Sequence, residues 1–492
     1  MKNFKRIMPV AVASAMMLAS CGSDPAELFQ NVELAKGYKA QNEHNPVATQ
    51  KFGADPYAME YNGRVYVYMT NDVLEYDTTG AVKENSFALV NKIFCVSSED
   101  LVNWTDHGAM PIAGENGAAK WAKFSWAPSA CHKTIDGKEK FFLYFANSGN
   151  GIGVVTSETP FGPWTDPIEK PIIDRNTPTC NTVTWLFDPA VLVDDNGDGY
   201  LYVGGGVPFV DGKPQAENPG TARVAKLDAS LTALDGDPVA ICPPWLFEDA
   251  GANKIGDTYY YSYCTNFNNP AGNNGCIAYM TSKNPMGPFE FQDVFFQNPG
   301  AFFGRGGNNH HAVCKVGDEY YLFYHAQILS QRRDISAGGY RSTNVDKVTI
   351  TEDGKIQPVT GTYEGVAQLK DFNPFQLTEA ETMAWEGGIE TEYVEGSTNL
   401  VVKTKAGSWM GLSGVNFGDG AKKFTVKASS NGKPAAIKIC LDKADGECVG
   451  YVSVNSAAMA DASVTFDKPV SGKHDLFFVF SGDMEVDTWK ME

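Results

Sequence analysis

The sequence predicts an all-β chain: a five-bladed β-propeller over residues 45–372, then a jelly-roll-like β-sandwich over residues 373–492. Three observations carry this. A tyrosine-rich strand recurs as Val65-Tyr66-Val67-Tyr68, Phe141-Phe142-Leu143-Tyr144, Tyr200-Leu201-Tyr202, Tyr259-Tyr260-Tyr261-Ser262-Tyr263 and Tyr321-Leu322-Phe323-Tyr324. A second element follows each copy, clearest in Ile93-Phe94-Cys95-Val96-Ser97-Ser98, Ile152-Gly153-Val154-Val155-Thr156-Ser157 and Ile277-Ala278-Tyr279-Met280-Thr281-Ser282, and looser at 222–226 and 340–344. Their period of about 60 residues marks a repeat architecture, and the Gly-Pro and Asn-Gly turns point to antiparallel units that close radially. Past residue 372 the period stops. Tight alternation replaces it, as in Phe424-Thr425-Val426-Lys427-Ala428 and Leu476-Phe477-Phe478-Val479-Phe480, which suits a separate sandwich.

A length of 492 residues supports two domains. With 43% hydrophobic and 20% charged residues, the chain reads as globular. A net charge of −19 repels nucleic acid and anionic membrane surfaces, which leaves neutral ligands. The N-terminus reads as a targeting segment. Lys2, Lys5 and Arg6 precede an apolar stretch from Ile7 to Ala19, shorter than a membrane span of ~20 residues. It ends in Leu18-Ala19-Ser20-Cys21, which resembles a bacterial lipobox, so residues 1–21 are expected to be a lipoprotein signal and Cys21 the lipidated residue. Residues 22–44 read as a tether, and the protein is expected on the bacterial cell envelope, touching the membrane only through that lipid. Nine further cysteines cannot all pair; Cys440 and Cys448 flank a hairpin and are candidates for a bridge.

Polar residues lead the repeats. Asp55, Asp188, Glu248 and His310 each stand about a dozen residues before a tyrosine strand, and Trp126-Ala127-Pro128 leads the remaining copy. In a radial array such residues converge on the axis. Three carboxylates held together cannot all ionise freely, so one is driven to hold its proton while another stays charged. That is an acid and a base in one pocket, which glycosidic hydrolysis requires. The run Asp194-Asp195-Asn196-Gly197-Asp198-Gly199 imitates the start of a calcium loop, but position twelve is Gly205 and no helices flank it, so it is a hairpin turn.

The motifs Ala54-Asp55-Pro56, Trp126-Ala127-Pro128, Asp188-Pro189-Ala190, Phe247-Glu248 and Asn309-His310-His311 follow in the order of glycoside hydrolase family 43, which residues 45–372 resemble. The resemblance implies that Asp55 is the general base, Glu248 the general acid and Asp188 the residue that orients the acid and tunes it. It implies an inverting mechanism. It also places His310 at the channel centre, touching a calcium ion or a water cluster, and has Arg341 reach the bound sugar with Trp126 as an apolar wall; no cofactor is required, a structural calcium aside. The segment from Glu379-Ala380-Glu381 to Val486-Asp487-Thr488-Trp489 resembles carbohydrate-binding module family 6, with Trp409 a candidate platform. The expected substrate is a xylan or arabinoxylan hemicellulose, cut to release L-arabinofuranose or D-xylose by a monomer. An endo-arabinanase of the same family and a non-catalytic glycan-binding lipoprotein remain as alternatives.

Overall fold

The computed structural model describes residues 24–268, 275–393 and 400–492; the signal segment and Cys21 lie outside them. Between Ala54 and Val348 the described residues form five antiparallel sheets of three or more strands in which sequence order equals spatial order, with one two-stranded hairpin, Phe209–Val210 on Lys213–Pro214, inserted within the third. Their first strands are Ala54–Tyr61, Trp126–Ile135, Ala190–Val193, Leu246–Ile255 and His311–Val316, and neighbouring first strands touch around a closed cycle. Four of these sheets have at least four strands and the last has three.

The repeated tyrosines explain the closure. They lie on the second strand of each sheet, with Tyr68, Tyr144, Tyr202 and Tyr324 essentially without exposure. Four hydroxyls tie one sheet to the next: Tyr68 donates to the Pro160 carbonyl at 2.6 Å, Tyr144 to Leu231 at 2.6 Å, Tyr202 to Pro285 at 2.8 Å and Tyr260 to Gly354 at 2.7 Å. A phenylalanine fills the same space but leaves those carbonyls unpaired, so tyrosine is the residue that packs and satisfies at once. Five apolar clusters fill the five gaps between consecutive sheets, including the gap between last and first, where Val67 and Phe94 meet Phe323 and Val345.

Residues after 378 form two further antiparallel sheets, of six and five strands, around one core that includes Phe424, Phe478 and Trp489. Phe478 is 3% exposed and its ring lies 5.1 and 5.2 Å from those of Phe424 and Trp489. Phe478→Ala is expected to destabilise this half by about 3–5 kcal/mol, read as a lower urea midpoint of its unfolding transition. The halves are joined by more than a linker. Thr382–Met383 adds an edge strand to the first sheet, pairing with Trp104–Thr105, and Asn103 exchanges hydrogen bonds with the Ser413 backbone at 3.0 and 2.8 Å.

Three expectations change here. Residues 24–44 do not hang as a tether: the Trp409 indole donates to the Ala35 carbonyl at 2.8 Å, Glu43 pairs with Arg332 at 2.6 Å, and Gln41 donates to Asp475 at 2.9 Å. The segment carries residues that find partners on both halves, and so it clamps them. Trp409 is thereby spent on packing, against this segment and Phe477, and is no sugar platform. Cys440 and Cys448 are register partners across the hairpin but both are free thiols. Among the described residues no helix is long and apolar enough to cross a membrane.

Candidate active site

A kink opens the inner strands. Asp55, Ala127, Asp188 and Asp249 all have positive φ, between 35° and 68°, which is costly for a residue with a Cβ and marks an imposed geometry. In three of the four strands it coincides with a break in ladder register, at Ala54/Tyr57, Trp126/Ser129 and Glu248/Gly251. The register therefore matches Asp249, not Glu248, to Asp55. Glu248 corresponds to Ala54 and Trp126, one residue earlier. Two side chains leave the fourth strand in different directions: Glu248 lines the pocket, while Asp249 turns into the channel below it.

The pocket has a volume of about 120 Å³, and Asp55, Asp188, Glu248, His310, Arg341 and Trp126 all line it. Burial works against ionisation of Asp55, yet the Arg341 guanidinium, with His325 and His310, holds its carboxyl well below the usual carboxylate range. Arg341 Nη1 donates to Asp55 Oδ1 at 2.6 Å, and His325 Nδ1 and His310 Nδ1 stand 3.1 and 3.5 Å from the same oxygen. All three contacts fall on Oδ1, so Oδ2 is the oxygen turned to the pocket. Glu248 goes the other way. Burial and then the charges of Asp188, Asp55 and Asp249 push its carboxyl well above the ordinary value. Its Oε1 is buried without a protein hydrogen-bond partner. Asp188 is also pushed up, by burial and then by Asp55, although its Oδ2 accepts the Asp249 backbone N–H at 3.0 Å. The buried acidic cluster thus holds one firm anion, Asp55, beside two carboxyls, Glu248 and Asp188, that are both pushed toward keeping a proton.

Beneath these carboxylates His310 Nε2 faces Asp249 Oδ1 at 3.1 Å, and His311 is held by Asp249 at 2.5 Å and by the Ser262 hydroxyl at 2.7 Å. These groups pair with one another instead of leaving oxygens open to a cation. No cluster of three or more His, Cys, Asp or Glu side chains placed to hold a metal occurs among the described residues. Arg341 places each of its three guanidinium nitrogens on Asp55 or Asp72, and a second N–H remains on each of Nη1 and Nη2. The Trp126 indole Nε1 is buried without a protein partner.

Sequence reasoning missed Asp72, Asp249 and His325. Asp249 had a signal, as the neighbour of Glu248, and His325 closes a tyrosine strand; Asp72 lies outside every repeat copy and had none. It also missed the approach to the pocket, a more open and largely apolar groove of about 720 Å³. Phe187, Trp185 and Phe247 line it in an edge-to-face series, with centroids 5.5 and 5.2 Å apart, and Phe267 packs edge-to-face on Phe247 at 5.3 Å.

Comparison with known proteins agrees with this geometry. Residues 43–356 match the model of glycosyl hydrolases family 43, and residues 379–492 that of carbohydrate binding module family 6. The chain is 49% identical over 460 residues to an arabinoxylan arabinofuranohydrolase of Bacillus subtilis, covering 89% of each chain. It is 44% identical over 479 residues to an arabinoxylan arabinofuranohydrolase of Paenibacillus polymyxa, covering 92% of this chain and 75% of that one. A crystal structure of the family 43 arabinoxylan arabinofuranohydrolase from Bacillus subtilis, in complex with cellotetraose, superposes with a TM-score of 0.89 at 46% identity, covering 94% of this chain and 99% of that chain. The chain belongs to glycosyl hydrolase family 43, as a glycosidase with a family 6 carbohydrate-binding module at its C-terminal end.

Proposed function

We propose that the protein is an inverting arabinofuranosidase that removes single L-arabinofuranosyl branches from arabinoxylan. The observation that carries this is a small pocket, floored by one anionic and one proton-bearing carboxyl, opening into a wider aromatic groove. A branch sugar enters the pocket while the backbone it decorates lies along Trp185 and Phe247, whose faces suit the apolar sides of sugar rings. The two arabinoxylan-acting relatives, each more than 40% identical, support arabinose over xylose.

In this reading Asp55 Oδ2 takes a proton from a water as that water attacks the anomeric carbon. Glu248 gives its proton to the departing oxygen. Asp188 holds the Asp249 peptide and, after burial, adds to the rise of the Glu248 carboxyl. Base and acid then act on opposite faces of the sugar, about 6.5–9.5 Å apart with a water between them, and the configuration inverts. Proton NMR of arabinoxylan hydrolysis is expected to show arabinose as the sole sugar released, first in the inverted anomer. A retained anomer, or oligosaccharides in place of the monosaccharide, overturns the reading.

Several further readings belong with this one. The five-sheet ring is a five-bladed propeller over 45–372, and the two C-terminal sheets are a jelly-roll-like sandwich over 373–492, supported by the five inter-sheet cores and the separate C-terminal core. The chain acts as a monomer that requires no cofactor, a structural calcium in the propeller channel aside, and is anchored to the cell envelope through Cys21, the anchor being supported by the lipobox-like Leu18-Ala19-Ser20-Cys21.

A further inference from the structure

Arg341 distributes its guanidinium unequally. Nε and Nη2 donate to Asp72 Oδ2 and Oδ1 at 3.0 and 2.9 Å, and the Arg341 backbone N–H adds a bond to Asp72 Oδ2 at 3.0 Å. Only Nη1 reaches Asp55. The Asp72 side chain has no solvent exposure and sits at the start of the segment that separates strands Arg64–Thr70 and Lys92–Ser98. That segment is fastened to the chain around Arg341: the Tyr340 hydroxyl accepts from the Glu75 N–H at 2.9 Å and donates to the Lys83 carbonyl at 2.8 Å, and the Asn85 side chain donates to the Gly339 carbonyl at 2.8 Å. Phe87, from the same segment, places its ring 5.0 Å from the guanidinium carbon. One loop thus holds both the edge and the face of Arg341.

Guanidinium and carboxylate favour a two-bond fork, both nitrogens of one edge on both oxygens. Left with Asp55 alone, Arg341 would be free to adopt that fork and cover both oxygens of the base. The geometry points to a different division, and we propose that Asp72 is the positioning residue of the base: it occupies two of the three guanidinium nitrogens, restricts Arg341 to one bond on Asp55 Oδ1, and leaves Oδ2 to receive the proton. The chemistry it serves is balanced within the site. An O–H bond of water breaks and its proton goes to Asp55 Oδ2, the water oxygen bonds the anomeric carbon, and the departing oxygen takes the Glu248 proton. This inference rests on the reading of Asp55 as base.

The test is steady-state hydrolysis of arabinoxylan and of an aryl α-L-arabinofuranoside by Asp72→Asn, Asp72→Glu, Arg341→Lys, the Asp72→Asn/Arg341→Lys double variant and Asp55→Asn. For Asp72→Asn we expect kcat to fall on the order of 10²-fold, the scale of a slightly misplaced catalytic group. The loss should be equal on both substrates, because water must attack whatever the leaving group, and KM should change less than about threefold. Asp72→Glu should recover most of the loss. The double variant should fall within about threefold of the worse single one, since Asp72 acts through Arg341. Wild-type kcat in Asp72→Asn, a loss confined to KM, or losses that multiply in the double variant overturns the proposal. Should Asp72→Asn fail to fold by circular dichroism, the kcat of Asp72→Glu decides: a high kcat with unchanged KM supports it, and a raised KM overturns it. An inactive Asp55→Asn beside a fully active Asp72→Asn rejects this inference alone; an active Asp55→Asn rejects the base itself.

Discussion

Glu248→Gln is expected to lower kcat/KM on arabinoxylan by about 10³-fold, or ~4 kcal/mol, within the range that a general acid contributes. The amide keeps the shape of the acid and removes its proton. On an aryl arabinofuranoside whose phenolate leaves without help, the loss should shrink to about tenfold, because protonation of the leaving oxygen no longer limits the rate. Equal losses on both substrates would place the acid elsewhere. The same residue sets the alkaline limb of the pH profile. Glu248 is pushed above the ordinary carboxyl range by burial first and by the charges of Asp188, Asp55 and Asp249 next, so activity is present while it is protonated and falls as pH rises through its raised pKa. Asp188→Asn removes one of those charges. Glu248 then ionises more readily, and the alkaline limb of kcat/KM should move to lower pH.

Asp55→Asn should be the more damaging change, lowering kcat by about 10⁴-fold on natural and aryl substrates alike, since no leaving group compensates for water that is not activated. Its acid limb has the opposite sign. Burial opposes the charge on Asp55, but Arg341, His325 and His310 prevail and hold it ionised, so activity should persist as pH falls and be lost only well below the usual carboxylate range. Measuring kcat/KM from acid to alkaline pH with the folded state monitored by intrinsic fluorescence checks both limbs. An acid limb near an ordinary carboxylate pKa would show that Arg341 does not grip the base as drawn.

Much of this site was legible before any coordinates. Asp55 and Asp188 announce themselves because each precedes a proline at a repeat boundary, and the structure gives both the same left-handed backbone. Glu248 was found by its distance to the tyrosine strand, yet in the ladder it sits one position out of phase with Asp55, and the bulge turns it into the pocket. Sequence spacing cannot separate those two cases, because a bulge shifts the facing of every residue before it without changing the strand that follows. Asp72 and the aromatic groove were invisible for another reason. Their partners are 269 residues away for Asp72, and 20 and 62 residues away for Phe247 across its Phe267 and Trp185 contacts, where no local pattern reaches.

The sequence alone determined the periodic part of this protein: strands recurring with a tyrosine that both packs and donates, the change of pattern after residue 372, and the three carboxyls that lead the repeats. Only the tertiary structure decided which carboxyl is charged. That outcome depends on distances across the closed ring, where Arg341 from the last sheet reaches Asp55 on the first, while Glu248 is left among anions without a cation at contact. Residue type sets what a side chain is able to do; the electric field of neighbours brought in by ring closure decides which of those things it does.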